Sequence, residues 1–241
     1  MQIIYLHKSS APSLFIHVLK IVMKFILLFL LPLLLCCNQP TPTNPVTYDI
    51  AAANGLNNFQ KIQMLEFTFN VQRDTAKPSQ RHWQWYPKTS EVVFVTDSGN
   101  TKFKRYDTST QELKKLNARF TNDEYWLLYP YHLSWDKGFE LRDSGMKTSY
   151  ISGKSLRKIT TKYNDIDGFS PGDMYDLYLD EKHQIQEWVY HDKGTAEPSL
   201  ITSWENYKDY NGLMLSQEHK TKDGKFRIWF TGIQTILIKS L

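Results

Sequence analysis

The chain has 241 residues, of which 41% are hydrophobic, 22% charged and 14% aromatic, a balance that suits a folded globular protein and excludes a disordered one. Its formal charge of +4 includes Lys8, Lys20 and Lys24, all ahead of the cysteine pair; without them about one positive charge is left, and no basic footprint for nucleic acid remains. The only cysteines, Cys36 and Cys37, are adjacent, which excludes a disulfide framework and a zinc cluster.

The N-terminal segment reads as an export signal. Met23-Lys24 gives a basic start, and FILLFLLPLLL from Phe25 to Leu35 is uncharged and short of the roughly 20 apolar residues that a spanning helix needs. Counting from Leu14 makes the segment long enough, but Lys20 and Lys24 interrupt it. Leu34-Leu35-Cys36-Cys37 resembles the lipobox cut by lipoprotein signal peptidase, with Leu34 at the aliphatic position, the small Cys36 before the cut and Cys37 as the acylated residue. Choosing Cys36 instead would place bulky Leu35 before the cut. A retained membrane anchor and an ordinary signal peptide cleaved further on are the alternatives. NQPTPTNP then forms an extended, flexible tether. Palmitate-like chains on Cys37 would hold the protein at a membrane, each buried methylene contributing about 0.8 kcal/mol. The tether lacks the acidic runs that send lipoproteins of this kind to other destinations, so the resemblance to a lipobox implies an outer-membrane address, facing the periplasm. The expected division is 1–22 as a mis-assigned upstream extension, 23–36 as signal, 37–47 as tether and 48–241 as one β-rich domain.

Within that domain, Tyr48 to Lys61 has the composition of a helix interrupted at Gly55. Leu65, Phe67, Phe69 and Val71 then alternate with polar residues, the period of a strand with one buried face. Further strands are predicted at 82–86, 91–96, 102–107, 173–180, 185–191, 199–207, 213–221 and 226–238, separated by turn formers such as Asp97-Ser98-Gly99-Asn100 and Asn211-Gly212. One short helix breaks the series: Thr121-Asn122-Asp123-Glu124 fits a capping box, and Pro130 limits the helix to about two turns. The expected class is mainly β with few helices: an antiparallel, strongly curved sheet forming an incomplete β-barrel, with the helix covering its mouth.

Three stretches resemble the lipoprotein-carrier fold family (LolA/LolB-like): NGLNNFQKIQMLEFTFNV at 54–71, DEYWLLYPYHLSW at 123–135 and ITSWENYKDYNGLMLSQEHKT at 201–221. The resemblance spans about residues 48 to 238 and implies an opening helix, an incomplete barrel and a helix within its open side. It further implies that the protein binds rather than transforms: a lipid, another apolar small molecule or the acyl part of another envelope lipoprotein.

Trp83, Trp85, Phe94, Trp126, Trp188, Trp204 and Trp229 are the candidates to line an apolar cavity; ordinary barrel packing accounts for any one alone, so the expectation rests on the set. The histidines at 82, 132, 183, 191 and 219 lack metal-site spacing. Asp165, Asp167, Asp173, Asp176 and Asp180 invite a calcium site but lack the EF-hand pattern, and a solvated acidic loop accounts for them. Neither a nucleophile elbow, a P-loop nor a dinucleotide fingerprint occurs, so no cofactor and no enzymatic activity are expected. Two rivals are a filled-barrel envelope scaffold and a hydrolase. The hydrolase would need two of Asp176, Asp180, Glu187 and His191 to converge in a cleft.

Overall fold

The computed structural model of the protein describes residues 45–165 and 171–238. The export signal, Cys36, Cys37, most of the tether and residues 166–170 of the acidic loop, Asp167 included, lie outside the described residues. Asn44–Leu241 forms a compact unit. Its main hydrophobic core, from Ile50 to Phe230, lies wholly inside it.

Two short helices, α1 (Pro45–Ala53) and α2 (Leu56–Phe59), stand where one helix was expected. Gly55 separates them with φ 97°, and a Cβ there would lie 2.0 Å from the carbonyl oxygen of Gly212. Asn58 Nδ2 donates to that same oxygen at 3.2 Å.

The first sheet has six strands: β1 (Ile62–Arg73), β2 (Ser79–Tyr86), β3 (Glu91–Thr96), β4 (Gly99–Lys104), β12 (Glu218–Lys220) and β13 (Phe226–Leu237), in the order β12-β13-β1-β2-β3-β4. Alternation in β1 turns Leu65, Phe67 and Phe69 inward, and the register sets them opposite Trp85, Trp83 and Arg81 of β2. The second sheet has five: β5 (Phe139–Thr148), β6 (Ser155–Tyr163), β7 (Met174–Leu179), β8 (Ile185–His191) and β9 (Leu200–Ser203), in sequence order. A separate hairpin, β10 (Lys208–Tyr210) and β11 (Leu213–Leu215), turns at Asn211-Gly212 with φ 56° and 83°, as a two-residue turn of this sequence requires.

The sheets are antiparallel throughout, and neither closes on itself. They meet at a short seam, where Glu205 bridges to Glu218 and the Ser203 hydroxyl bonds the backbone of Lys220. On the other side the edges of β4 and β5 stay apart. The expected incomplete barrel is therefore built from two sheets.

A 25-residue helix, α3 (Gln111–Trp135), joins β4 to β5. This corrects the short helix expected from Thr121. Its N-cap is Thr110, whose hydroxyl accepts from the Leu113 amide at 3.1 Å. Thr121 and Glu124 lie mid-helix and are buried. Pro130 bends the helix instead of ending it, with Leu128 out of helical conformation at φ −120° and ψ 16°. The helix covers the open side of the sheets, as expected, and does so by packing against both of them. Its Phe120 packs on Phe67, Trp83 and Trp85 of the first sheet, and its Tyr129 packs on Tyr175 and Trp188 of the second.

Several strand limits also differ. β5 and β6 were not expected. β4 ends at Lys104, before Tyr106 takes φ 71°. The expected strand over 199–207 stops at Ser203, before Asn206 takes φ 56°. The expected strand over 213–221 breaks at Ser216-Gln217, where the Ser216 hydroxyl and the Gln217 amide both donate to the Glu205 carbonyl.

Candidate functional site

One end of the incomplete barrel holds a cavity of about 640 Å³. β1 and β8 finish there, β2, β7, β9 and β13 begin there, and the first half of α3 crosses it. Phe69, Val71, Trp126, Trp188, Leu200, Phe226 and Ile228 give it an apolar wall, while Arg73, Arg81, Asn122, Asp173 and Tyr190 add polar groups. That volume falls within the roughly 300–1,000 Å³ of small-molecule sites.

Of the seven aromatic candidates, the structure brings Trp126 and Trp188 to this wall, with ring centroids 4.4 Å apart and edge to face. Trp204 lies behind them, 6.3 Å from Trp188 and 4.4 Å from His219. Trp83 is fully buried and donates its indole N–H to Asp123 at 2.8 Å. Phe94 leans on Trp83 from β3 at 4.7 Å. Trp85 packs with Phe59 and Trp135, away from the cavity. Trp229 falls between the inward Ile228 and Phe230, so it points outward, under the Arg227 guanidinium at 4.6 Å.

The two arginines of the cavity were not among the candidates, yet period two places them. Arg73 continues the inward row Phe67, Phe69, Val71, and Arg81 heads the row Trp83, Trp85. Arg81 grips Asp123 of α3 through Nε and Nη2, both at 2.6 Å, and the Asp123 carboxylate is fully buried. Asp173 accepts from the hydroxyls of Tyr175 and Tyr190, both at 3.3 Å, and from the Lys193 amide at 3.0 Å.

Behind the cavity, α3 carries a buried charge cluster. Arg105 Nη2 donates to Glu124 at 2.9 Å, and His132 lies between Glu124 at 3.1 Å and Asp136 at 2.9 Å. Tyr125 and Tyr163 donate to Asp136 at 2.5 and 2.9 Å. Burial alone would push the His132 pKa down, but the Glu124 charge and bonds from both carboxylates hold it up at about 9. Burial likewise acts to raise Glu124 and Asp136, yet Arg105 and His132 keep Glu124 low, and His132 keeps Asp136 low. Two cations face two carboxylates, and only Tyr125 of this group reaches the cavity wall. The cluster fixes α3 between the sheets. His219 is the opposite case: burial in an aromatic nest lowers its pKa to about 3, against a smaller upward pull from the backbone of Ser203 and Trp126.

Of the four residues a hydrolase would recruit, Asp176 and His191 do meet, at 3.1 Å. Asp176 also takes Lys158 at 2.7 Å and the Thr160 hydroxyl at 2.5 Å, on the sheet face opposite core residues Ile159 and Leu177. Glu187 receives the amides of Ile151 and Ser152, and Asp180 those of Lys182 and Gln184, so each is committed to a turn.

Comparison with solved structures places this geometry in context. A LolA superfamily protein from Nitrosomonas europaea aligns at TM-score 0.46 and 6% identity, over 80% of this chain and 94% of that one. A DUF1329 family protein from Desulfovibrio piger gives 0.47 and 9%, over 83% and 96%. A putative outer membrane lipoprotein-sorting protein domain from Vibrio parahaemolyticus gives 0.44 and 9%, over 78% and 91%. No protein-family model matches the sequence, and no match is found among curated proteins.

Proposed function

We propose that this chain is a lipid-anchored envelope protein that binds an apolar ligand, a lipid or the acyl part of another lipoprotein, in its half-barrel cavity. The anchor would be the acyl group on Cys37, and the address the periplasmic face of the outer membrane. The observation that carries the binding role is the cavity itself: about 640 Å³, walled by Trp126, Trp188, Phe226 and Ile228, at the end of the barrel and beside its aromatic core. Apolar surface leaving water there contributes about 25 cal/mol per Å². Binding and handover, not bond breaking, suits a site whose carboxylates, Asp123 and Asp173, are already committed to the framework.

A second function has one observation in its favour. The inner half of α3 and most of the aromatic candidates form solid core, as a scaffold with a working exterior would have. Native mass spectrometry of the Asn44–Leu241 unit, purified from a bacterial host without detergent, distinguishes the two. A co-purifying lipid or fatty acid is the expected result. A bare protein mass together with no uptake of a fluorescent fatty acid favours the scaffold.

A further inference from the structure

The charges around the cavity are not balanced alike. Arg81 is held by Asp123 through two short bonds. Asp173 receives three donors of this chain. Arg73 ends β1 on the inward row, is exposed, and lies over the Phe226 ring at 4.9 Å. Among the described residues no carboxylate pairs with it. A guanidinium stacked on one aromatic face keeps its edge donors available, and that edge matches a carboxylate or a phosphate in two parallel bonds. Beneath it the wall is apolar, formed by Phe226, Ile228, Trp126 and Trp188.

Resting on the binding role proposed above, we infer that the ligand is an amphiphile with one anionic head: its acyl chain lies along Trp126 and Trp188, and its carboxylate or phosphate meets Arg73. A neutral ester or hydrocarbon would fill the same wall and leave the cation unused.

The test is a fluorescence titration of the Asn44–Leu241 unit with dansyl-undecanoic acid and with its methyl ester, for the native sequence, Arg73→Gln and Arg73→Lys. The acid is expected to bind about ten-fold more tightly than the ester, and Arg73→Gln to remove that preference by weakening the acid alone. Arg73→Lys should keep part of it. Equal binding of acid and ester to the native sequence, or an unchanged preference in Arg73→Gln, overturns the anionic-head inference while leaving the apolar cavity standing. Binding of neither probe overturns the cavity function itself. Displacement of the bound acid by palmitate or by lysophosphatidate then tells carboxylate from phosphate, and displacement by neither overturns the inference.

Discussion

Removing Arg81 should destabilise the protein, and a second substitution should restore part of the loss. In Arg81→Met the Asp123 carboxylate, fully buried, loses both guanidinium bonds and keeps only Trp83 Nε1 and Asn122 Nδ2. Breaking a buried pair from one side costs about 3–5 kcal/mol. Arg81 keeps 23% of its side chain exposed, so water can reach the gap, and about 3 kcal/mol is expected. Asp123→Asn alone should cost about 1–2 kcal/mol, because its amide still accepts from Trp83 while Arg81 turns to solvent. With both substitutions no charge is stranded, and the loss should again be about 1–2 kcal/mol, less than for Arg81→Met alone. Urea unfolding followed by far-ultraviolet circular dichroism measures this without relying on the tryptophan that the pair contacts. If the double variant loses as much as the two single variants together, the pair does not couple α3 to β2.

Three further outcomes follow from the same geometry. His132, held up at about 9, gives stability that is full below its unfolded pKa of about 6.5 and is lost as pH rises through 9, whereas His219, lowered to about 3, is neutral when folded and costs stability as pH falls below about 6.5. A stability maximum near pH 6.5 is expected by chemical unfolding across pH, and His219→Leu should flatten the acid limb only; an unaltered acid limb contradicts the assignment. Gly55→Ala should cost more than the roughly 1 kcal/mol of an ordinary helix-end change, since its Cβ would lie 2.0 Å from the Gly212 oxygen; thermal melting checks it, and a loss below 1 kcal/mol counts against the close approach. Trp188→Ala, removing a ring stacked on Tyr175 at 5.1 Å and wedged against Trp126, should cost about 3–5 kcal/mol, and outward Trp229→Ala under about 1 kcal/mol; similar urea midpoints would refute this division of inside from outside.

Much of the first sheet was legible because its strands alternate cleanly. β3 and β8 fall at the expected limits, and Leu65, Phe67 and Phe69 face inward as their spacing predicts. β5 was hidden because it is an edge strand with little buried surface, so Phe139–Thr148 carries charges on both faces. β6 was hidden for the converse reason: Leu156, Ile159, Thr160, Thr161 and Tyr163 are buried on both sides, which erases alternation. The helix start was misplaced because Thr121-Asn122-Asp123-Glu124 imitates a cap. Two of those side chains are engaged elsewhere: Asp123 holds Arg81 and Trp83 of the first sheet, and Glu124 holds Arg105 and, further along the helix, His132. Of the cavity wall, only Trp126 and Trp188 were among the aromatic candidates, since a search for apolar lining overlooks the arginine that closes an apolar row.

The route of α3 has a thermodynamic consequence. The two sheets touch each other along a seam of a few residues, and neither has an interior without the helix between them. Phe120 on one flank and Tyr129 on the other belong to the same continuous helix, so peeling either sheet away strips the partner of its packing as well. Unfolding should therefore be a single all-or-none transition, and anything that loosens the bend at Leu128 is felt by both sheets at once.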